Sequence, residues 1–247
     1  MSEVASEELQ DCWKKEQDEL AMRVNTSYNE DIAVNRISLV GGLDISFVKG
    51  TDDACITLVV LTLPDLKVVY EDSQLIKMVA LYIPGYLAFR EADFFHQALQ
   101  RLRVKHKEFF PQVMLVDGNG VLHFKRCGSA SHLGVICDIP TIGVAKNLYQ
   151  MPEEGIVRND EHKQKVSQLN NKGDQFELKT NNQDVLGMAV LSNNQATNPV
   201  YVSVGHKCNL ETAVEIVLKC SVARVPEPIR QADIRSRQFL RERFPPE

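Results

Sequence analysis

The sequence predicts an α/β protein with one mixed sheet and helices on both sides. Residues 37–79 hold three strand-like segments joined by short turns. Helix-like and strand-like segments then alternate from 89 to 146. Two more strands and an amphipathic helix follow between 185 and 220. Three strands in succession read as an antiparallel meander, and the alternation adds strands that helical crossovers can place in parallel.

The elements follow in order. "EELQDCWKKEQDELAMRV" (7–24) has Leu9, Trp13, Leu20 and Val24 available for one face of a helix. "ISLVGGLDISFV" (37–48), "ACITLVVLTL" (54–63) and "KVVYEDSQLIKMV" (67–79) are the three strands of the meander. Next come a helix at 89–106, a strand at "PQVMLVDG" (111–118), a helix at 129–138 and a short strand at "PTIGVAK" (140–146). Residues 151–181 are polar and read as a surface excursion. "VLGMAVLS" (185–192) and "PVYVSVG" (199–205) are further strands, and "NLETAVEIVLKC" (209–220) is a helix opened by an asparagine cap. The last residues, "RQFLRERFPPE", read either as a basic tail or as the end of a helix. The expectation is a single domain over 1–247, with 1–8 and 245–247 as flexible tails.

The chain of 247 residues is 44% hydrophobic and 25% charged, which is globular composition with enough length for a sizeable core. It has no run of about 18 apolar residues and no secretory signal, so no membrane association is expected. The expected compartments are cytoplasm and nucleus, the nucleolus included. Six cysteines lie scattered without a CxxC pair, which supports neither a disulfide framework nor a zinc site. The net charge of −5 argues mildly against nucleic-acid binding, but basic residues cluster at 101–110, 123–126, 161–165 and 230–244. Those clusters fit either a basic face or ordinary solvated helix surfaces.

Three charges stand within or at the end of predicted buried strands, which would not tolerate them unpaired, and a fourth lies near a helix start. Asp44 lies within the first strand and Asp117 ends the fourth, just before a Gly-Asn-Gly turn. Strand carboxyl ends are where α/β folds place their sites. If the first and fourth strands are neighbours, the two carboxylates flank a gap suited to Mg²⁺, which one or two carboxylates usually hold. Glu91, near a helix start, could complete the cluster directly or through water. Lys146, at the end of a strand, could orient a water or neutralise phosphate charge. Taken singly, each acid also fits a cap or turn, and the lysine also fits a snorkelling surface residue.

The segments "GGLDISF", "YIPGYLAFRE", "VDGNGVLHFKRCGSASHLGV", "TIGVAKNL" and "EPIRQADIRSR" together resemble the successive motifs of the endonuclease V (deoxyinosine 3′ endonuclease) family, its animal branch in particular. The resemblance runs in order over roughly residues 10 to 240. It implies a ribonuclease H-like fold and cleavage of the second phosphodiester bond 3′ to inosine. It also implies dependence on Mg²⁺, with Mn²⁺ able to substitute, and a monomer that prefers single-stranded inosine RNA to deoxyinosine DNA. Asp44, Asp117 and Glu91 match the family's catalytic and metal-binding acids, and Lys146 its catalytic lysine. Tyr82 resembles the wedge that fills the space beside an extruded base, with Pro84 following it. Recognition of hypoxanthine falls to backbone groups around Gly85, Leu87 and Gly118, where small residues let the main chain approach a flat base, and His123 is a nucleic-acid contact or a packed strand residue. His206 has a similarly divided reading, structural or functional. Two departures stand out: Leu81 replaces the proline of many relatives, and Asp233 stands where bacterial relatives carry histidine. Asp233 could bind a second metal or pair with Arg230 or Arg235. A catalytically silent inosine-RNA-binding protein is the competing reading.

Overall fold

Helix α1 (Glu3–Arg23) leads into strands β1 (Leu39–Phe47), β2 (Asp53–Thr62) and β3 (Val68–Lys77). Helix α2 (Ala88–Lys105), strand β4 (Val113–Asp117), helix α3 (Ser129–Cys137) and strand β5 (Thr141–Ala145) follow. Beyond them come α4 (Asp160–Ser167), β6 (Gln175–Lys179), β7 (Val185–Val190), β8 (Val200–His206), α5 (Leu210–Lys219) and α6 (Glu227–Arg243). The computed structural model describes residues 3–78, 83 and 85–245, with side chains from residue 8 onward. Each strand and helix expected before residue 150 is present within a few residues of its predicted bounds, and the asparagine cap of α5 is formed, with Asn209 Oδ1 accepting from Thr212 N at 3.0 Å.

Among the described residues, eight strands form one sheet in the order β3-β2-β1-β4-β5-β8-β7-β6. The first three make the expected antiparallel meander. β1, β4 and β5 run parallel at the centre, with Leu43 opposite Val116 and Asp117 opposite Val144. The first and fourth strands are therefore neighbours, as the two-aspartate reading required.

Alternation along a strand decides which residues share a face. On β4, Val113 and Leu115 pack into a core with Ile216 of α5 and Ile229 of α6. Met114 and Val116 pack on the opposite side, with Phe95 and Leu99 of α2 and Leu133 of α3. These four β4 residues are at most 3% exposed, and burying each contributes about 2 kcal/mol. Continuing the alternation places Asp117 on the α5/α6 side. Val40 and Gly42 bring Asp44 to that same side, and Ile142 and Val144 point Lys146 there too. Ile45 packs on the opposite side, as alternation with Asp44 demands.

Gly42 has a specific task. A Cβ there would lie 2.2 Å from the backbone carbonyl of Pro228, so only glycine lets the first turn of α6 rest on β1. That contact aims the whole of α6 across the site.

Two segments differ from expectation. Residues 151–181 are not merely a surface excursion: they contain helix α4 and edge strand β6. β6 does alternate, with Phe176 and Leu178 between Gln175, Glu177 and Lys179, but over five residues in a polar stretch that signal is short. The C-terminal basic stretch is helical through Arg243, which settles its two readings in favour of a helix. All six cysteines are free, and all but Cys12 are buried. Among the described residues, no helix is long and apolar enough to cross a membrane.

Candidate active site

Asp44 sits on β1 with its Oδ2 accepting from Ser236 Oγ of α6 at 2.7 Å and from Ser46 Oγ at 3.2 Å. The two hydroxyls are themselves 2.7 Å apart. Burial raises this carboxyl above the ordinary range; the Ser236 hydrogen bond opposes the rise, and the charges of Asp233 and Asp117 add to it. Asp117 is met by Lys146, whose Nζ donates to Oδ2 at 2.6 Å. Glu91 lies in the first turn of α2. Burial pushes it up to about 7, with the Arg90 charge opposing and those of Asp44 and Asp117 adding.

The donor set fits a hard divalent cation. Burial is the first cause of the raised proton affinities of Asp44 and Glu91, and the negative charge of neighbouring carboxylates adds to it. A cation with oxygen ligands relieves that charge. Among the described residues, no group of three or more His, Cys, Asp or Glu side chains is placed to hold a metal ion by itself. The site thus suits an ion held by one or two carboxylates, the rest of its shell coming from water and substrate.

Asp233 lines a groove of about 840 Å³ together with Asp44, Lys146, Lys49, Arg241 and Phe47. Its partner is Arg237, at 2.7 Å one helical turn on. It is not Arg230, which pairs with Glu227, nor Arg235, which pairs with Glu71. Much of the remaining basic charge forms solvated ion pairs, as in Lys163 with Asp160 and Lys165 with Glu161.

A recess of about 180 Å³ opens beside Asp117 and is lined by Gly85, Leu87, Gly118 and His123. The structure therefore brings these four expected substrate residues together. Gly85 has φ +86°, and a Cβ there would press to 2.9 Å from the Phe124 ring. His123 is buried, with its ring 4.5 Å from that of Phe124 and 5.0 Å from that of Tyr149. Burial pulls its pKa down to about 4; a hydrogen bond to the Gly85 backbone opposes this, and the Arg126 charge adds to it. His123 is thus a neutral ring at pH 7 and suits packing or neutral hydrogen bonding better than charge pairing with phosphate. Tyr82, Pro84 and Leu81 lie outside the described residues. His206 is buried on β8 with Nδ1 accepting from Asn25 N at 3.2 Å, a contact that favours the structural side of its divided reading.

Sequence reasoning missed Ser46, Ser236 and Gln17. Ser46 was legible as the residue two on from Asp44, on the same strand face. Ser236 had no local signal, since it reaches Asp44 only because α6 folds back over β1. Gln17 had one: it occupies the apolar stripe of Trp13, Leu20 and Val24 as its polar member.

A mixed sheet with carboxylates gathered where its central parallel strands end is the ribonuclease H-like arrangement, and the class it defines here is that of an endonuclease. The endonuclease V family model matches residues 18–234. Human endonuclease V is 46% identical over 241 residues, covering 96% of this chain and 85% of the human protein. Mouse endonuclease V is 48% identical over 240 residues, covering 95% and 70%. The solved catalytic domain of human endonuclease V superposes with a TM-score of 0.92, covering 96% of this chain and 98% of that one at 46% identity. Endonuclease V of Ciona intestinalis, solved with a 24mer DNA containing an inosine followed by a ribo-adenosine, superposes at 0.89 with 38% identity, covering 95% and 99%. The chain belongs to the endonuclease V family.

Proposed function

We propose that this chain is a metal-dependent endonuclease acting on inosine-containing single-stranded RNA, and more weakly on deoxyinosine DNA. It cuts the second phosphodiester bond 3′ to inosine. The observation that carries the reading is the placement of Asp44, Asp117 and Lys146 on one sheet face beside the recess lined by Gly85, Leu87, Gly118 and His123. The Ciona relative's complex with a DNA containing an inosine followed by a ribo-adenosine supports the inosine part of this reading.

In this reading the extruded base enters the recess and the strand runs past Asp117 toward the groove that Asp44 and Lys146 line. Tyr82 stacks in the gap left by the base. Asp44 and Asp117 would hold Mg²⁺, or Mn²⁺ in its place, with Glu91 joining through water and Asp233 close by. Such an ion supplies Lewis-acid stabilisation of phosphate charge and lowers the pKa of a bound water. Ser236 and Ser46 hold the Asp44 carboxylate in one orientation through its Oδ2. Lys146 Nζ keeps Asp117 oriented and places a positive charge where the phosphate gathers negative charge. Glu91, with its raised proton affinity, holds or releases a proton near neutral pH at its carboxylate oxygens. Water adds to phosphorus, the bond to the 3′-oxygen breaks, and that oxygen takes a proton. The products carry a 3′-hydroxyl and a 5′-phosphate.

The test is Asp44→Ala against a single-inosine RNA. Cleavage should vanish while binding persists; turnover equal to wild type would remove Asp44 from the chemistry. Wild-type protein that binds this RNA selectively but never cuts it would instead favour the silent-binder reading.

A further inference from the structure

The recess beside Asp117 has two side chains in its wall that backbone recognition leaves unexplained. Gln17, on the N-terminal helix, is 1% exposed. Its Nε2 donates to the carbonyl of Gly85 at 3.2 Å and to that of Cys127 at 2.9 Å. Both partners are carbonyl oxygens, so the amide can be oriented only with nitrogen toward them. That leaves Oε1 on the other side, buried and with no donor among the described residues. Asn119, in the turn after β4, likewise has a buried Oδ1 with no donor. Both residues line the same recess as Gly85, Leu87, Gly118 and His123.

A buried acceptor without a donor costs about 1–3 kcal/mol, so two in one small recess call for a ligand that brings hydrogen. Water could serve one of them at rest. A planar base that fills the recess must replace it. An oxopurine such as hypoxanthine presents N–H at ring position 1, whereas adenine presents a lone pair there. Oxygen acceptors facing ring position 1 pair with that N–H and meet a lone pair in adenine, whose donor is the amino group at position 6. The 6-oxygen of hypoxanthine is then left to main-chain N–H groups.

Helix α1 is also tied to the segment that forms the rim. Trp13 stacks on Phe89 at 5.2 Å and lies 6.1 Å from Tyr86, while Gln17 holds the carbonyl of Gly85, the residue before Tyr86. The N-terminal helix thus sets the shape of the recess as well as part of its chemistry.

We propose that Gln17 and Asn119 are specificity-determining residues, their side-chain oxygens accepting the ring N–H that distinguishes an oxopurine from adenine, with the Gln17 amide nitrogen also positioning Gly85. This rests on the reading that the recess receives the inosine base.

The experiment uses the full chain and three single-stranded RNAs that differ only at the target base: inosine, adenosine and 1-methylinosine, whose methyl group replaces the ring N–H. Wild-type protein should favour inosine over both others by at least ~10-fold in kcat/KM. Gln17→Met and Asn119→Leu should each lower the inosine-to-adenosine ratio by ~10-fold or more, while Asn119→Asp, which keeps an acceptor oxygen, should retain more of it. Acceptance of 1-methylinosine equal to that of inosine by wild type overturns the inference without any variant having to fold. Folded Gln17→Met and Asn119→Leu proteins with unchanged ratios overturn it as well. If wild type shows no preference for inosine over adenosine, the inosine reading itself fails; selection of inosine with indifference to the 1-methyl group removes only Gln17 and Asn119.

Discussion

Glu91→Gln isolates the electrostatic burden of the acid cluster. A glutamate raised from 4.5 to about 7 by burial and by the charges of Asp44 and Asp117 is costly to ionise inside the fold. Each tenfold in proton affinity is worth about 1.4 kcal/mol, so full ionisation costs the native state about 3 kcal/mol. Below pH 4.5 the group is protonated whether the chain is folded or not, and it adds nothing to the pH dependence. Between 4.5 and 7 the folded state keeps a proton that the unfolded chain has released, so stability falls as pH rises. Above 7 the whole penalty is present. Glutamine has the size of protonated glutamate and no charge. In EDTA, urea unfolding should therefore find variant and wild type about equal at pH 4.5, with the variant more stable by up to about 3 kcal/mol at pH 8. Mg²⁺ should narrow that gap, because an ion that binds only the folded cluster stabilises wild type by mass action. A difference that stays the same from pH 4.5 to pH 8 would refute the claim that Glu91 is strained by its neighbours' charge.

Further outcomes follow from the same geometry. Gly42→Ala puts a Cβ 2.2 Å from the Pro228 carbonyl and must displace α6, which should cost about 1–3 kcal/mol in unfolding free energy and lower kcat together; a variant matching wild type in both would show that α6 does not depend on that contact. Ser236→Ala removes the 2.7 Å donor to Asp44 and should lower kcat more than it changes KM, with about 1–3 kcal/mol lost from the hydrogen bond; steady-state kinetics that move only KM would argue against an orienting role. Lys146→Met should cut kcat on the order of 10²-fold, with Lys146→Arg recovering part of it, and an unaltered kcat would make the 2.6 Å pair with Asp117 merely structural.

Much of the fold was legible because its signals are local. The meander, α2, β4, α3 and β5 each show their own periodicity, and the charges of Asp44, Asp117 and Lys146 stand out in the sequence because a buried strand carries a charge only with a partner. Strand β6 was not read, because its alternation, Phe176 and Leu178 among three polar residues, is only five residues long and lies in a polar stretch. Asp233 was placed near the cluster but with the wrong partner. Helix geometry favours Arg237 four residues on, while Arg230 and Arg235 are drawn away by Glu227 and Glu71. Ser236 lies 192 residues from Asp44, and nothing in its neighbourhood announces the contact that α6 makes across Gly42. Gln17 shows the limit from the other side: its signal, an amide in an apolar stripe, was present but has meaning only once Gly85 and Cys127 are seen beside it.

The central claim is that Asp44, Asp117, Glu91 and Lys146 form a cation-requiring cutting site next to a base recess. Its most direct test is a denaturing gel of one 5′-labelled single-stranded RNA carrying a single inosine, incubated with the protein in Mg²⁺ or in EDTA, beside the same RNA with adenosine. A single product ending in a 3′-hydroxyl after the first nucleotide 3′ to inosine, present in Mg²⁺ and absent in EDTA and with adenosine, is the predicted result. Cleavage that survives EDTA, or falls equally on both RNAs, would contradict it.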